Sequence, residues 1–117
     1  MEHYLDNAAT TAVLPRAREA AIAAMEEFGN PGSLHAKGTA ARKVLDDSRK
    51  TLAAALGCKP ACLTFTSGGS ESDNTAIRGI AAKKGKGHII TSKIEHHAVL
   101  HTVQALEKEG FTATYLD

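Results

Sequence analysis

Neither sign of charge dominates this chain: fourteen Lys and Arg stand against thirteen Asp and Glu over 117 residues, a formal +1. A nucleic-acid or anionic-membrane surface needs a basic excess, so neither partner is expected and a small molecule is the better candidate. No uncharged apolar stretch approaches the roughly eighteen residues of a membrane helix. Glu2 and Asp6 also interrupt any leader-like reading of the start. Cysteine is scarce, with only Cys58 and Cys62, too few for the disulfide framework of a secreted domain; a reducing, cytoplasmic setting is expected. There are three prolines, no repeat and no low-complexity linker. The rest is a globular composition, 43% hydrophobic and 23% charged, of one-domain length.

Helical and strand patterns alternate along the chain. Pro15 suits the first turn of a helix carrying Ala17, Ala21, Met25 and Phe28 on one face, with Gly29 to end it. After the loop NPGSLH, Ala41, Val44, Leu45, Leu52, Ala55 and Leu56 recur at helical spacing from about Ala36 to Leu56, while Arg42, Lys43, Asp46, Asp47, Arg49 and Lys50 make a solvated face. Gly57 stands where a helix-ending residue of positive φ belongs. CLTFT then reads as a short buried strand, followed by a helix from Ser70 that stops in KKGKG. HIIT is a second strand, Glu95 to about Lys108 a helix, and FTATYL a last strand. Strands alternating with helices imply a parallel sheet with right-handed crossovers, so the fold class is α/β.

In such sheets ligands gather at the loops leaving the carboxyl ends of strands. The first of these loops, TSGGS, leads into a helix start at which Ser70 and Asp73 form a capping box, leaving the amides of Ser70, Glu71 and Ser72 clustered. Gly68 and Gly69 lack a Cβ, so an oxyanion can approach the backbone, and the Ser67 and Ser70 hydroxyls can donate to it. Glu71 opposes an anion there unless it turns to serve the helix start. A plain strand-to-helix turn, with glycine for geometry and serine for capping, is the competing reading.

In the second loop, TSKIEHH, Ser92 and Glu95 make another capping box with His96 in the opening turn. Helical spacing puts His96 with Val99, Leu100, Val103 and Leu106 on the apolar stripe, and His97 with His101, Gln104 and Lys108 on the polar one. An imidazole at this edge can stack on a flat ring or move a proton, or simply bond to nearby backbone. His97 and His101, four apart, have the spacing of a metal clamp, but no third ligand is evident and no metal is expected. His88, heading a strand, is expected at the surface.

The stretches YLDNAATTAVLPRA (4–17), FGNPGSLHAKG (28–38), FTSGGSESDNTAI (65–77) and HIITSKIEHHAVL (88–100) together resemble the N-terminal part of cysteine desulfurases, enzymes of the class-V aminotransferase type. That resemblance implies the three-layer, parallel-sheet core of a fold-type I transferase large domain, incomplete here, with residues 1–117 as its N-terminal part. It implies pyridoxal 5'-phosphate as cofactor, its phosphate held by the backbone of Gly69 and the backbone and hydroxyl of Ser70, and His96 stacked on the pyridine ring and aiding proton transfer. Asn7, Ala8, Thr10, Asn30 and His35 fall in segments that lie near the active site in relatives. The implied reaction removes sulfur from L-cysteine, the cofactor acting as electron sink, with alanine released and sulfur carried as a persulfide on an enzyme thiol toward a sulfur-acceptor protein for iron-sulfur or thio-cofactor assembly. A homodimer is implied as well.

Three features of the resembled family are not among these residues: an aspartate for the pyridine nitrogen, the Ser-x-His-Lys segment with its Schiff-base lysine, and a loop bearing the sulfur-accepting cysteine. Lys93 lies at a strand end but not where relatives carry that lysine. Cys58 at a helix end and Cys62 at the start of a buried strand read as structural. The chain is therefore expected to be a fragment, or one half of a larger assembly, whose last strand leaves an apolar edge. The alternatives are a short non-catalytic protein that binds phosphate-bearing ligands or completes a partner chain, and a selenocysteine lyase or other class-V lyase.

Overall fold

The structure, a computed structural model, describes residues 3–117, so Glu2 lies outside the described residues. The chain divides into two compact units, Met1–Leu63 and Thr64–Asp117.

In the first unit, helix α1 spans Pro15–Glu26 and helix α2 spans Ala36–Ala55. Proline opens α1 because a first-turn N–H has no intrahelical acceptor to lose. The helix ends at Glu26, ahead of Gly29, and its expected buried face is not buried: no α1 residue is, and Met25 is 79% exposed. Amphipathic spacing records a preference for burial, and here the stripe stays exposed among the described residues. In α2 the charged run behaves as expected, Asp46 pairing with Arg42 and Arg49 and Asp47 with Lys43 and Lys50 along the solvent side. The end of α2 is a Schellman turn: Gly57 takes φ +66°, its N–H donates to Ala54 O (3.3 Å), and the Cys58 N–H donates to Ala53 O (2.9 Å).

Between α1 and α2 the loop closes on itself. Asn30 Oδ1 accepts from the Gly32 N–H at 2.9 Å, and the Ser33 N–H donates to Asn30 O at 2.9 Å. Two glycines allow the close approach. A Cβ on Gly29 would lie 2.4 Å from Lys37 O, and one on Gly38 would lie 2.2 Å from Ser33 O.

The second unit holds helix α3 (Gly69–Lys84), strand β1 (His88–Ser92), helix α4 (His97–Lys108) and strand β2 (Thr112–Leu116). The strands pair in parallel from His88 with Thr112 to Ser92 with Leu116, and the Lys93 N–H adds a bond to Leu116 O at 2.8 Å. Ile89, Thr91, Ala113 and Tyr115 share the less exposed face of this ladder, where the Tyr115 hydroxyl donates to Glu107 of α4 at 2.7 Å. Ile90 is on the other face and 67% exposed. The buried apolar residues of the unit are Ala81 of α3 and Val103 and Leu106 of α4. His88 is exposed as expected, each ring nitrogen against a threonine hydroxyl of β2.

CLTFT is not a strand. Pro60–Cys62 form a single 3-10 turn and Leu63 is extended, but among the described residues the ladder contains β1 and β2 alone. β-rich composition makes a segment willing to extend, and only a partner strand turns extension into sheet. Cys62 is consequently exposed rather than at the head of a buried strand.

The two sorts of glycine predict substitutions of opposite sign. Gly38→Ala forces a methyl into the Ser33 carbonyl and should destabilise the protein by about 1–3 kcal/mol. Gly79→Ala, inside α3 with nothing near its added Cβ, should stabilise by roughly 0.5–1 kcal/mol. Chemical denaturation of both variants, monitored by circular dichroism, reads the two signs directly.

Candidate functional site

The start of α3 is built differently from the capping box its sequence suggests. Gly68 is the cap residue, and it supplies no side chain. Glu71 instead reaches backward, one carboxylate oxygen accepting from the Ser67 N–H (2.6 Å) and the Ser67 hydroxyl (2.7 Å). Asp73 has no part in the cap, because with Gly68 as cap it is Glu71 that falls in the third helical position, from which a long carboxylate can return. Ser67 is thereby occupied by the protein's own carboxylate, and its hydroxyl is not free for a ligand. The Ser72 N–H makes the first intrahelical bond, to Gly68 O at 3.1 Å. The amides without an intrahelical acceptor are therefore those of Gly69, Ser70 and Glu71, one residue earlier than expected.

The bonds from Ser67 hold the Glu71 carboxyl below the usual glutamate range, the side-chain hydroxyl contributing most and the backbone N–H next. This engages the charge that opposed an anion at the turn. The space over Gly68 and Gly69 is open, with no atom near the position of an added Cβ on either.

The start of α4 is a second departure. The helix begins at His97, and His96 is its N-cap, with Nδ1 accepting from the Ala98 N–H at 3.1 Å. The Ser92–Glu95 box does not form, and His96 is exposed instead of lying on the apolar stripe. A ring nitrogen on a short stem reaches the N–H two residues on much as an asparagine oxygen does, so the imidazole displaces serine from the capping role. Because Nδ1 accepts, the neutral ring carries its proton on Nε2.

These two helix starts face a common cleft of about 320 Å3, lined by Ser70, Asn74 and Arg78 of α3 and by His96, His97, His101 and Thr102 at and beyond the start of α4. Ser70 and His96 are thus brought together. Asn74, Arg78 and Thr102 were not singled out from sequence, although Ser70, Asn74 and Arg78 recur every four residues from the start of the helix, the spacing of one face. Asn74 Nδ2 donates to Ser70 O (2.9 Å), and the Thr102 hydroxyl lies 2.7 Å from both Asn74 Oδ1 and Ala98 O. Arg78 pairs with Glu109 at 3.0 Å. The rings of His97 and His101 stack at 5.3 Å and 22°, presenting parallel faces instead of converging on an ion. Among the described residues no cluster of three or more metal-ligating side chains occurs.

The second-rank candidates belong to the other unit. Asn7 and Ala8 lie in a turn in which the Ala9 and Thr10 N–H groups both donate to Asp6 O (3.1 and 3.5 Å). Asn30 closes its own loop. His35 caps α2, its Nδ1 accepting from the Gly38 N–H at 3.3 Å, as His96 caps α4. Lys93 is ion-paired with Asp117, and Cys58 and Cys62 are exposed free thiols.

The open backbone at Gly68 and Gly69, the unbonded first-turn amides and the flat imidazole that shares a cleft with Ser70 suit a phosphate joined to an aromatic ring. The Glu71 clasp should follow pH in one direction. A carboxyl lowered by folding stabilises above its ordinary range and loses that contribution as pH falls through the lowered value. NMR of the Ser67 amide should therefore stay constant from neutral pH down through the ordinary glutamate range and shift only below it. Glu71→Gln should abolish the step.

Comparison with known proteins bears on the same residues. The class-V aminotransferase profile matches residues 3–117. Cysteine desulfurase IscS of Methanosarcina thermophila is 53% identical over 97% of this chain, and that of Clostridium botulinum strain Hall is 51% identical over the same share; the chain spans 29% of each. Among solved structures, a NifS-like protein superposes with a TM-score of 0.91 at 40% identity, over 98% of this chain and 32% of its own. SspA in complex with cysteine gives 0.89 at 41% identity, over 97% of this chain and 33% of its own. The fold is thus a partial domain of the pyridoxal-phosphate enzyme type. Sequence and backbone agree that the chain belongs to the class-V aminotransferase family, in which the cysteine desulfurases depend on pyridoxal 5'-phosphate.

Proposed function

We propose that residues 1–117 are the N-terminal part of the cofactor-binding large domain of a cysteine desulfurase, an enzyme acting on L-cysteine to release alanine and hand sulfur to an acceptor protein. The observation that carries this reading is the shared cleft of Ser70 and His96. Relatives named cysteine desulfurase and a cysteine complex of a structural neighbour support the substrate. The name IscS supports iron-sulfur assembly as the destination of the sulfur. A homodimer and a cytoplasmic setting complete the proposal, the latter supported by two exposed free thiols.

Pyridoxal 5'-phosphate, when bound, supplies the electron sink that lets bonds at the substrate's α-carbon and sulfur be broken. The chain's own part is to bind and orient. The Gly69 and Ser70 N–H groups and the Ser70 hydroxyl, at the positive end of the α3 dipole, would hold the cofactor's phosphate. His96 would stack on the pyridine ring and, with Nδ1 tied to Ala98, holds its movable proton at Nε2. Glu71 is kept on Ser67 and away from the anion.

Three substitutions test the arrangement by equilibrium titration of pyridoxal 5'-phosphate, followed by absorbance. Ser70→Ala removes one hydrogen bond to a charged group and should weaken binding on the order of tenfold. Gly69→Val should weaken it more, since its side chain enters open space that the folded protein does not need and the phosphate does. His96→Asn preserves a capping side chain but removes the ring, so helix content should hold while affinity falls. Unchanged affinity in all three would overturn the reading.

A further inference from the structure

We infer that Asn74 and Thr102 are positioning residues that tie the anion-binding start of α3 to the His96-bearing start of α4. Thr102 is the buried polar side chain among the described residues, 3% exposed. Its hydroxyl lies 2.7 Å from Ala98 O, within its own helix, and 2.7 Å from Asn74 Oδ1 across the helix pair. Asn74 Nδ2 donates in turn to Ser70 O at 2.9 Å, and the Ala98 N–H donates to His96 Nδ1 at 3.1 Å.

The single Thr102 proton is shared between Asn74 Oδ1 and Ala98 O, so a path of contacts links the Ser70 carbonyl through Asn74 and Thr102 to the turn of α4 that His96 caps. A threonine needing only its own satisfaction would have it from Ala98 O alone. The bond to Asn74 adds a link between helices, and a buried hydroxyl holds such a link because losing it leaves a polar group without water. The separation and orientation of the phosphate-facing amides relative to the imidazole are set through this path.

The test uses Thr102→Val, nearly the same shape without the hydroxyl, with Thr102→Ser as the rescue and Asn74→Leu as the cut from the other side. In the ligand-free protein, amide hydrogen exchange should quicken on the order of fivefold at Ser72 of α3 and at Ala98 and Leu100 of α4 together. Ala81 and Leu106 should keep their rates, and Thr102→Ser should restore the wild-type pattern. Quickening confined to α4, or spread evenly to Ala81 and Leu106 as a packing defect would give, overturns the inference. A second arm rests on the proposed function: pyridoxal 5'-phosphate should bind Thr102→Val several-fold more weakly and Thr102→Ser as wild type. Undiminished affinity in Thr102→Val overturns the positioning role. A wild-type protein that takes up no cofactor overturns the proposed function instead, and the exchange arm then decides by itself whether the helix starts are coupled.

Discussion

The parallel register of β1 and β2 is the constraint from which the site follows. Parallel neighbours cannot be joined by a tight turn, so the chain leaving Ser92 must travel back the length of the ladder before Thr112 can pair with His88. Helix α4 makes that return, while α3 makes the corresponding run into β1. Both helices run against the strands, and their beginnings come to the edge at which β1 ends. The cleft lined by Ser70 and His96 shows the result at the starts, and the Arg78–Glu109 pair shows the same two helices meeting toward their ends.

Two helix beginnings side by side put two positive dipole ends and a set of unbonded amides at one cleft. The protein's own groups settle which donors remain. Glu71 takes the Ser67 N–H and hydroxyl, and His96 takes the Ala98 N–H. The amides of Gly69 and Ser70 are left without a partner of the protein's own, beside glycines whose missing Cβ leaves open space. The clasp on Ser67 neutralises an apparent contradiction, since the glutamate adjoining the anion seat is the group that closes the turn.

Much of this was legible in the residues. Helical spacing located α2, α3 and most of α4; Gly57 announced its positive φ; and the glycine-serine loop marked a helix start with open backbone, one residue later than it falls. The capping residues were not legible. Ser70 with Asp73 and Ser92 with Glu95 both match the pattern of a capping box, yet Glu71 and His96 do the work. A pattern of residue types states which groups are able to bond, and competition among neighbours within a fraction of an ångström decides which do. The same holds for CLTFT, whose composition suits a strand but whose residues meet no partner strand among the described residues, and for the apolar stripe of α1, which stays exposed there.

By itself the sequence determined the alternation of helix and strand and the glycines needed by backbone geometry. It also determined the four motifs that mark class-V membership, because local propensity, steric freedom and family signature are all properties of short stretches. Only the tertiary structure decided that Asn74 and Thr102, twenty-eight positions apart, join through one buried hydroxyl, and that His96 faces the cleft rather than the core. Those outcomes depend on how α3 and α4 lie against each other. A hydrogen bond across two helices needs an approach within about 3 Å, a condition no spacing along the chain expresses.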